Sequence, residues 1–210
     1  LIECVGRLRS AGYLKPIYVF ILTSTPENDG MDMPTYDAAS KVGMSESMKV
    51  LHDEAMEMAR KGKGEQPITP AKLQKSGINV FMGSLWTCAR DKDKLQATDY
   101  EEIYIHAKVA VVDDAAFTIG SANLNLRSMS VDSELNVLSE AKEVAFQLRR
   151  DLFRQCSGMA GPEQFGDMEN TFQEWGKSAF TNAQNKKAGA QLTSQLFPFY
   201  VDRKPGWPVV

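Results

Sequence analysis

The sequence predicts an α/β sandwich, and three observations carry the prediction. A continuous apolar run, IYVFIL at 17–22, is rich in β-branched and aromatic residues, which suits a strand buried on both faces of a parallel sheet. Segments with helical hydrophobic spacing alternate with further strand-like runs. Hydrophobic residues make up 43% of the 210 positions, ample for a core and incompatible with wholesale disorder.

Residues 1–12 read as the end of an amphipathic helix, with Leu1, Val5 and Leu8 on one stripe and Gly12 suited to its cap. After the 17–22 strand, residues 23–43 are rich in Pro, Asp, Gly and Ser and mark a long excursion rather than a tight loop. A helix is expected at 45–61, where Met48, Leu51, Ala55 and Met58 align; core packing explains that stripe better than lipid contact. A Gly/Pro/Lys loop at 61–70 leads to a short helix at 70–76 and a strand at 78–82, and polar residues 90–99 form a second loop. Strands are expected at 103–106, 108–112 and 117–119, with Asp113-Asp114 as the turn, and at 134–138. Val144, Leu148 and Leu152 lie in register on a helix over 141–156, which the glycine-containing stretch 158–166 ends. Another helix reaches about 187, and Pro198, Pro205 and Pro208 predict a tail lying extended over the domain.

Composition narrows the function classes. Twenty-four Lys and Arg against 27 Asp and Glu give a net charge of −3, without the basic excess of a nonspecific nucleic-acid binder. Cys4, Cys88 and Cys156 are widely spaced and odd in number, which reads as reduced thiols rather than a zinc site. No apolar run approaches the ~20 residues needed to span a membrane.

The chemistry is concentrated in 104–138, YIHAKVAVVDDAAFTIGSANLNLRSMSVDSELNVL. His106 and Lys108 are two residues apart, which on a strand places both on one face. Gly120, Ser121 and Asn123 follow on the returning segment of the hairpin. Together these residues suit an anionic phosphate ester. Lys108 neutralises a nonbridging oxygen, Ser121 and Asn123 donate to the same group, and Gly120 permits close approach. An imidazole attacks phosphorus or protonates a leaving oxygen, and Glu134 is the candidate carboxylate that orients it. Taken singly, each has a plainer reading: His106 as a satisfied histidine, Lys108 as a snorkelling edge lysine, Asp113 as a turn residue. His52 reads as a solvent-facing helical histidine.

The combination resembles the phospholipase D superfamily signature H-x-K-x4-D-x6-G-S-x-x-N. His106, Lys108, Asp113, Gly120 and Ser121 match its spacing, and Asn123 or Asn125 supplies the asparagine. Asn125-Leu126-Arg127-Ser128 and Asp132-Ser133-Glu134 resemble the continuation of the second of two such motifs in phospholipases D. The resemblance extends over about 1–157, while 23–66 and 158–210 match nothing in it. It implies an α/β/α sandwich with a mixed, largely parallel sheet. On this reading 1–157 is the carboxy-terminal half-domain of a bacterial two-motif phospholipase D with an excursion inserted at 23–66. Residues 158–210 are then a helical appendage and extended tail packing on it.

The resemblance also implies a mechanism. One histidine forms a phosphohistidine, a second protonates the leaving alcohol, and no metal or other cofactor is generally required. The catalytic set would be His106, Lys108, Asp113 and Glu134, with Lys108, Ser121 and Asn123 on the substrate phosphate; His106 is read as the acid/base. The chain holds one such motif, so a partner segment bearing H-x-K is expected. Because the chain opens on Leu1 inside a helix, an upstream part of the same protein is favoured over a second copy.

Among superfamily substrates, phospholipid at a membrane surface is favoured over nucleic acid. Arg90, Lys92 and Lys94 are the basic residues available to a nuclease, and Asp91 and Asp93 interleave with them. An HKD-type endonuclease, a phospholipid synthase such as cardiolipin synthase, and a non-enzymatic phosphate-binding module are the alternatives. The 23–66 excursion and the aromatics Phe197, Phe199, Tyr200 and Trp207 supply apolar material for an interface, with packing of the tail on the domain itself the competing expectation. Resemblance to bacterial secreted toxins and delivered effectors implies a cognate inhibitor or immunity protein.

Overall fold

The computed structural model describes residues 2–24, 70–124, 126–159 and 165–199. Helix α1 (Ile2–Ser10) leads to strand β1 (Ile17–Leu22), and α2 (Pro70–Lys75) to the long β2 (Ile78–Cys88). A 3-10 turn (Ala97–Asp99) precedes β3 (Tyr100–Ile103), followed by β4 (Lys108–Val112), β5 (Ala116–Gly120), α3 (Leu126–Ser130) and β6 (Asn136–Ser139). Helices α4 (Lys142–Ser157) and α5 (Met168–Ala188) and strand β7 (Leu196–Pro198) complete it. The helix expected at 45–61, with its methionine stripe and His52, lies outside the described residues, as do Asn125, Tyr200 and Trp207.

The β1–β2 pair is sandwiched between two helical layers, and strand alternation explains how. Ile17 and Val19 of β1, with Ile78 and Val80 of β2, pack against Val5 of α1 and Leu73 of α2. The intervening residues point the other way: Phe20, Leu22, Phe81 and Leu85 meet Phe153 and Cys156 of α4 and Phe172, Trp175 and Ala179 of α5. The register pairs Ile17 with Ile78 and Phe20 with Phe81, so each face is built from matched neighbours. Trp175, 1% exposed, is the hub; its ring lies 5.0 Å from Phe20, 5.4 Å from Phe81 and 4.7 Å from Phe153.

The α/β class and mixed sheet agree with expectation, but the balance within the sheets does not. Of the described pairings, β1–β2 is parallel, whereas β2–β3, β2–β7, β4–β5 and β5–β6 are antiparallel. For β4–β5 the reason is connection length: the three-residue link between them can only reverse the chain, since a parallel return needs a crossover of a dozen residues or more. The strands form two sheets, one of β1, β2, β3 and β7 and one of β4, β5 and β6.

The chain after 157 is not an appendage on a finished core. Helix α5 supplies Trp175 to the core centre, and β7 pairs with β2 at Gly83–Leu85. Asn182, fully buried, fastens the two: its amide donates to the carbonyls of Ser194 (3.0 Å) and Leu196 (2.8 Å) and its oxygen accepts from the Thr193 N–H (2.9 Å). Asp167 caps α5 by accepting from the Asn170 N–H, and left-handed Gly158 and Gly189 end α4 and α5. Phe197 and Phe199 are buried rather than offered to an interface. Of the expected α4 stripe, Leu148 and Leu152 are half-buried and only Val144 departs from it. Ala145, Phe153 and Cys156 face inward and Val144 is exposed, because the core contacts come from α5 and β1 beneath. Burial raises the Cys156 thiol to about 11, while Cys4 is exposed.

Candidate active site

His106 does not lie on a strand. Residues 104–107 form an extended link that leaves β3 in the first sheet and enters β4 in the second, so the histidine stands at the junction between sheets. The Ile105 N–H donates to Ser24 Oγ (2.5 Å), tying this link to the carboxyl end of β1. The His106 side chain is exposed, and Tyr104 stacks beside it with ring centroids 5.8 Å apart and planes 25° from parallel. Lys108 opens β4, and its ammonium donates to the His106 carbonyl at 2.7 Å. The proximity of this pair therefore comes from a short local contact rather than from one shared strand face.

Register brings the glycine-serine segment alongside. Lys108 pairs with Gly120 across β4–β5, and Gly120 with Asn136 across β5–β6. A Cβ on Gly120 would lie 1.7 Å from Asn136 Oδ1 and 2.4 Å from the Leu135 carbonyl, so only glycine fits. Ser121 is engaged on both sides. Its hydroxyl donates to Glu134 Oε2 (2.5 Å), accepts from the Leu135 N–H (3.1 Å), and thereby joins β5 to the approach to β6. The Asn136 amide oxygen accepts from the Ala122 N–H at 3.2 Å. Lys108, Gly120, Ser121, Glu134 and Asn136 thus converge at one end of the second sheet.

Asn123 is exposed two residues beyond Ser121. Glu134, expected to orient His106, accepts the Ser121 hydroxyl. Ser121, expected to donate to phosphate, already directs its proton to that carboxylate. Asp113 is at the other end of the β4–β5 hairpin, roughly 15 Å from Lys108 at ~3.3 Å per strand residue. There Asp113 and Asp114 both take φ of 52°, and the Ala115 N–H closes the turn on Val112 (2.9 Å). Asp114 is gripped by Arg149 of α4 through Nε (2.5 Å) and Nη2 (2.7 Å). Sequence reasoning missed Asn136, although a glycine inside an apolar strand pattern is a signal that something approaches closely.

Val137 and Leu138, next to these polar groups in the chain, are exposed. Among the described residues there is no group of three or more His, Cys, Asp or Glu that could hold a metal ion, and no helix long and apolar enough to cross a membrane.

Residues 47–156 match the family described as "Cardiolipin synthase, PLD-like domain". The chain belongs to this phospholipase D-like family. It is 37% identical over 80 residues to cardiolipin synthase 1 of Staphylococcus epidermidis, which covers 38% of this chain and 13% of that protein. It is 51% identical over 45 residues to phospholipase D zeta 1 of Arabidopsis thaliana (20% of this chain, 4% of that protein) and 58% over 40 residues to phospholipase D B of Dictyostelium discoideum (18% and 3%). The chain therefore spans only a small fraction of the relatives it matches.

Proposed function

We propose that this chain contributes one of two HKD motifs to a phospholipid phosphodiesterase that releases the head group and leaves phosphatidic acid. The observation that supports this reading is that Lys108, which donates to the His106 carbonyl, lies at the same end of the β4–β5–β6 sheet as the Ser121–Glu134 pair. A histidine of the partner motif attacks phosphorus and the bond to the head-group oxygen breaks. His106, entering as imidazolium, gives that oxygen its proton. His106 then takes a proton from water as the water oxygen attacks phosphorus, the phosphorus–nitrogen bond breaks, and both histidines return to their starting states. Lys108 leaves the His106 carbonyl for a nonbridging oxygen and stabilises its charge. Glu134 and Ser121 position the sheet end, and Asn123 donates to the phosphate.

The partner motif lies on an upstream segment of the same protein or on another copy. The exposed Val112, Val137 and Leu138 of the second sheet supply apolar surface for it. A second reading, in which the hydroxyl of another lipid replaces water, is favoured by the family description and by the cardiolipin synthase relative. Both readings use the same histidines.

The test is transphosphatidylation. The protein carrying this chain, given phosphatidylcholine or phosphatidylethanolamine and ethanol, forms phosphatidylethanol through interception of the covalent intermediate. His106→Ala abolishes it, Lys108→Ala lowers it by on the order of 10² or more, and Glu134→Gln lowers it less. DNA cleavage without lipid turnover overturns the lipid assignment. Diphosphatidylglycerol formed from phosphatidylglycerol in preference to hydrolysis selects the synthase reading.

A further inference from the structure

Beyond Gly120 the chain leaves β5, runs through residues 122–134 and returns to β6 within hydrogen-bond distance of where it left. Three contacts close this loop at its base. The Ser121 N–H donates to the Leu135 carbonyl (3.1 Å), the Leu135 N–H to Ser121 Oγ (3.1 Å) and the Ala122 N–H to Asn136 Oδ1 (3.2 Å). The ends are therefore pinned, in the manner of an Ω-loop, and the base is the sheet end that carries Gly120 and Ser121. The catalytic reading uses that base and none of the loop's apolar side chains.

The loop is turned inside out. Ser128 is buried, and Asp132 and Glu134 are half-buried and both engaged, Glu134 by the Ser121 hydroxyl. Outward go Leu124 (92% exposed), Val131 (78%) and Met129 (65%), with Leu135 (76%) at the base. Among the loop's described side chains the other exposed ones are Asn123, Ser130 and Ser133, so none that faces water carries a charge. A single exposed leucine is ordinary on any protein surface. Four large apolar side chains on one pinned loop, with its carboxylates turned inward, form a different pattern.

Shape and distance say what meets it. Side chains exposed to this degree stand on a convex tip, without the pocket or the aromatic and charged anchors on which protein interfaces depend. Fluid hydrocarbon requires neither a matching shape nor hydrogen bonds. Leu124 is at most roughly 10 Å of chain from Ser121 at ~3.3 Å per residue. An apolar surface seated in a bilayer interface reaches about 5–10 Å into the boundary between head groups and acyl chains. With Leu124 at that depth, Ser121 and the neighbouring Lys108 stand at the level of the lipid phosphates.

We propose that the 122–134 loop inserts Leu124, Met129 and Val131 into the interfacial layer of a phospholipid bilayer and so holds the sheet end against the lipid phosphates. The proposal rests on the reading of the substrate as a phospholipid.

The protein carrying this chain, with Leu124→Ser and Val131→Ser together, is compared with the parent on two forms of one lipid. Phosphatidylcholine vesicles report binding by flotation and turnover at a surface. Dihexanoyl phosphatidylcholine below its micellar concentration reports turnover without a surface. Vesicle binding and vesicle turnover should each fall by about tenfold or more, since two buried aliphatic side chains are lost from the interface. Turnover of the monomeric lipid should stay within about twofold, as for other surface substitutions. Leu124→Trp gives a positive readout that does not depend on the serine substitutions folding: vesicles with brominated acyl chains should quench its emission beyond any quenching of the parent. Full vesicle binding by the Leu124/Val131 variant, or no added quenching at position 124, overturns the insertion. An equal loss on monomeric and vesicle lipid also overturns it, and assigns the loop to the site or to the contact with the H-x-K partner. Vesicle binding that depends on Leu124 and Val131, without turnover of either lipid form, sustains the loop assignment and fails the catalytic reading.

Discussion

Around β1 and β2 both sheet faces are covered, and the aromatic side chains of β1, β2, α4 and α5 close on Trp175. In the β4–β5–β6 sheet, by contrast, Val112 and Val137 are each 60% exposed and Leu138 71%, with the polar cluster of Lys108, Ser121 and Glu134 at the same sheet's end. One chain thus carries a sheet that satisfies itself and a sheet that does not. Apolar area left in water forfeits about 25 cal/mol per Å² of potential stabilisation, so exposed apolar side chains beside converging polar groups are better suited to recognition than to holding the domain together.

Substitutions can break this contrast. In the covered region, Trp175→Ala should lower the stability of the chain by about 3–5 kcal/mol, measured by denaturant melts. Trp175→Phe should cost less, since the buried indole N–H has no partner among the described residues and its removal relieves an unsatisfied donor. At the open sheet's end, Gly120→Ala should disturb Asn136 and the Leu135 carbonyl. The expected result is a loss of phosphatidylethanol formation of about ten- to a hundredfold, in line with overpacking costs of ~1–3 kcal/mol. Unchanged activity there would separate the sheet end from the chemistry.

Smaller effects sharpen the comparison. The Gln96 N–H and then Lys92 hold the Asp99 carboxyl below its usual range. A depressed carboxylate contributes stability that is complete above the unfolded value of 3.8 and is lost as pH falls through the lower folded value. The melting-temperature difference between the chain and Asp99→Asn should therefore be constant near neutrality and shrink below about pH 4. Leu138→Ser, on the same sheet face as Lys108 and Val112, should change the stability of the isolated chain by no more than ~0.5 kcal/mol while weakening association with an H-x-K partner. Destabilisation well beyond that would mean Leu138 is already packed within the chain.

Much of this was legible in the sequence. IYVFIL formed the expected parallel strand, half-buried along its length, the helix expected up to about 187 ends at Ala188, and Asp113-Asp114 makes the turn. Within the stretch from His106 to Glu134, register brings Lys108, Gly120, Ser121 and Glu134 to one sheet end and puts Asp113 at the other. The change of sheet between Ile103 and Lys108 was not legible, because local alternation reads continuous strand on both sides and only long-range pairing decides which sheet each half joins. The place of Trp175 at the core centre was hidden for the same reason. Its neighbours Phe20, Phe81 and Phe153 are scattered along the chain, and helical spacing alone does not say which elements meet.

The grip of Arg149 on Asp114 fastens the β4–β5 hairpin at its turn. Arg149 is also held by the Phe165 carbonyl (3.1 Å) and lies over the Phe146 and Phe153 rings, 5.6 and 5.5 Å from their centroids. At the opposite end Gly120 is held in register with Asn136, Ser121 by Glu134 and Leu135, and the link before Lys108 by Ser24. A ribbon supported at both ends cannot swing about either, so the distance between the acidic turn and the Lys108 end is held by the stiffness of the ribbon itself.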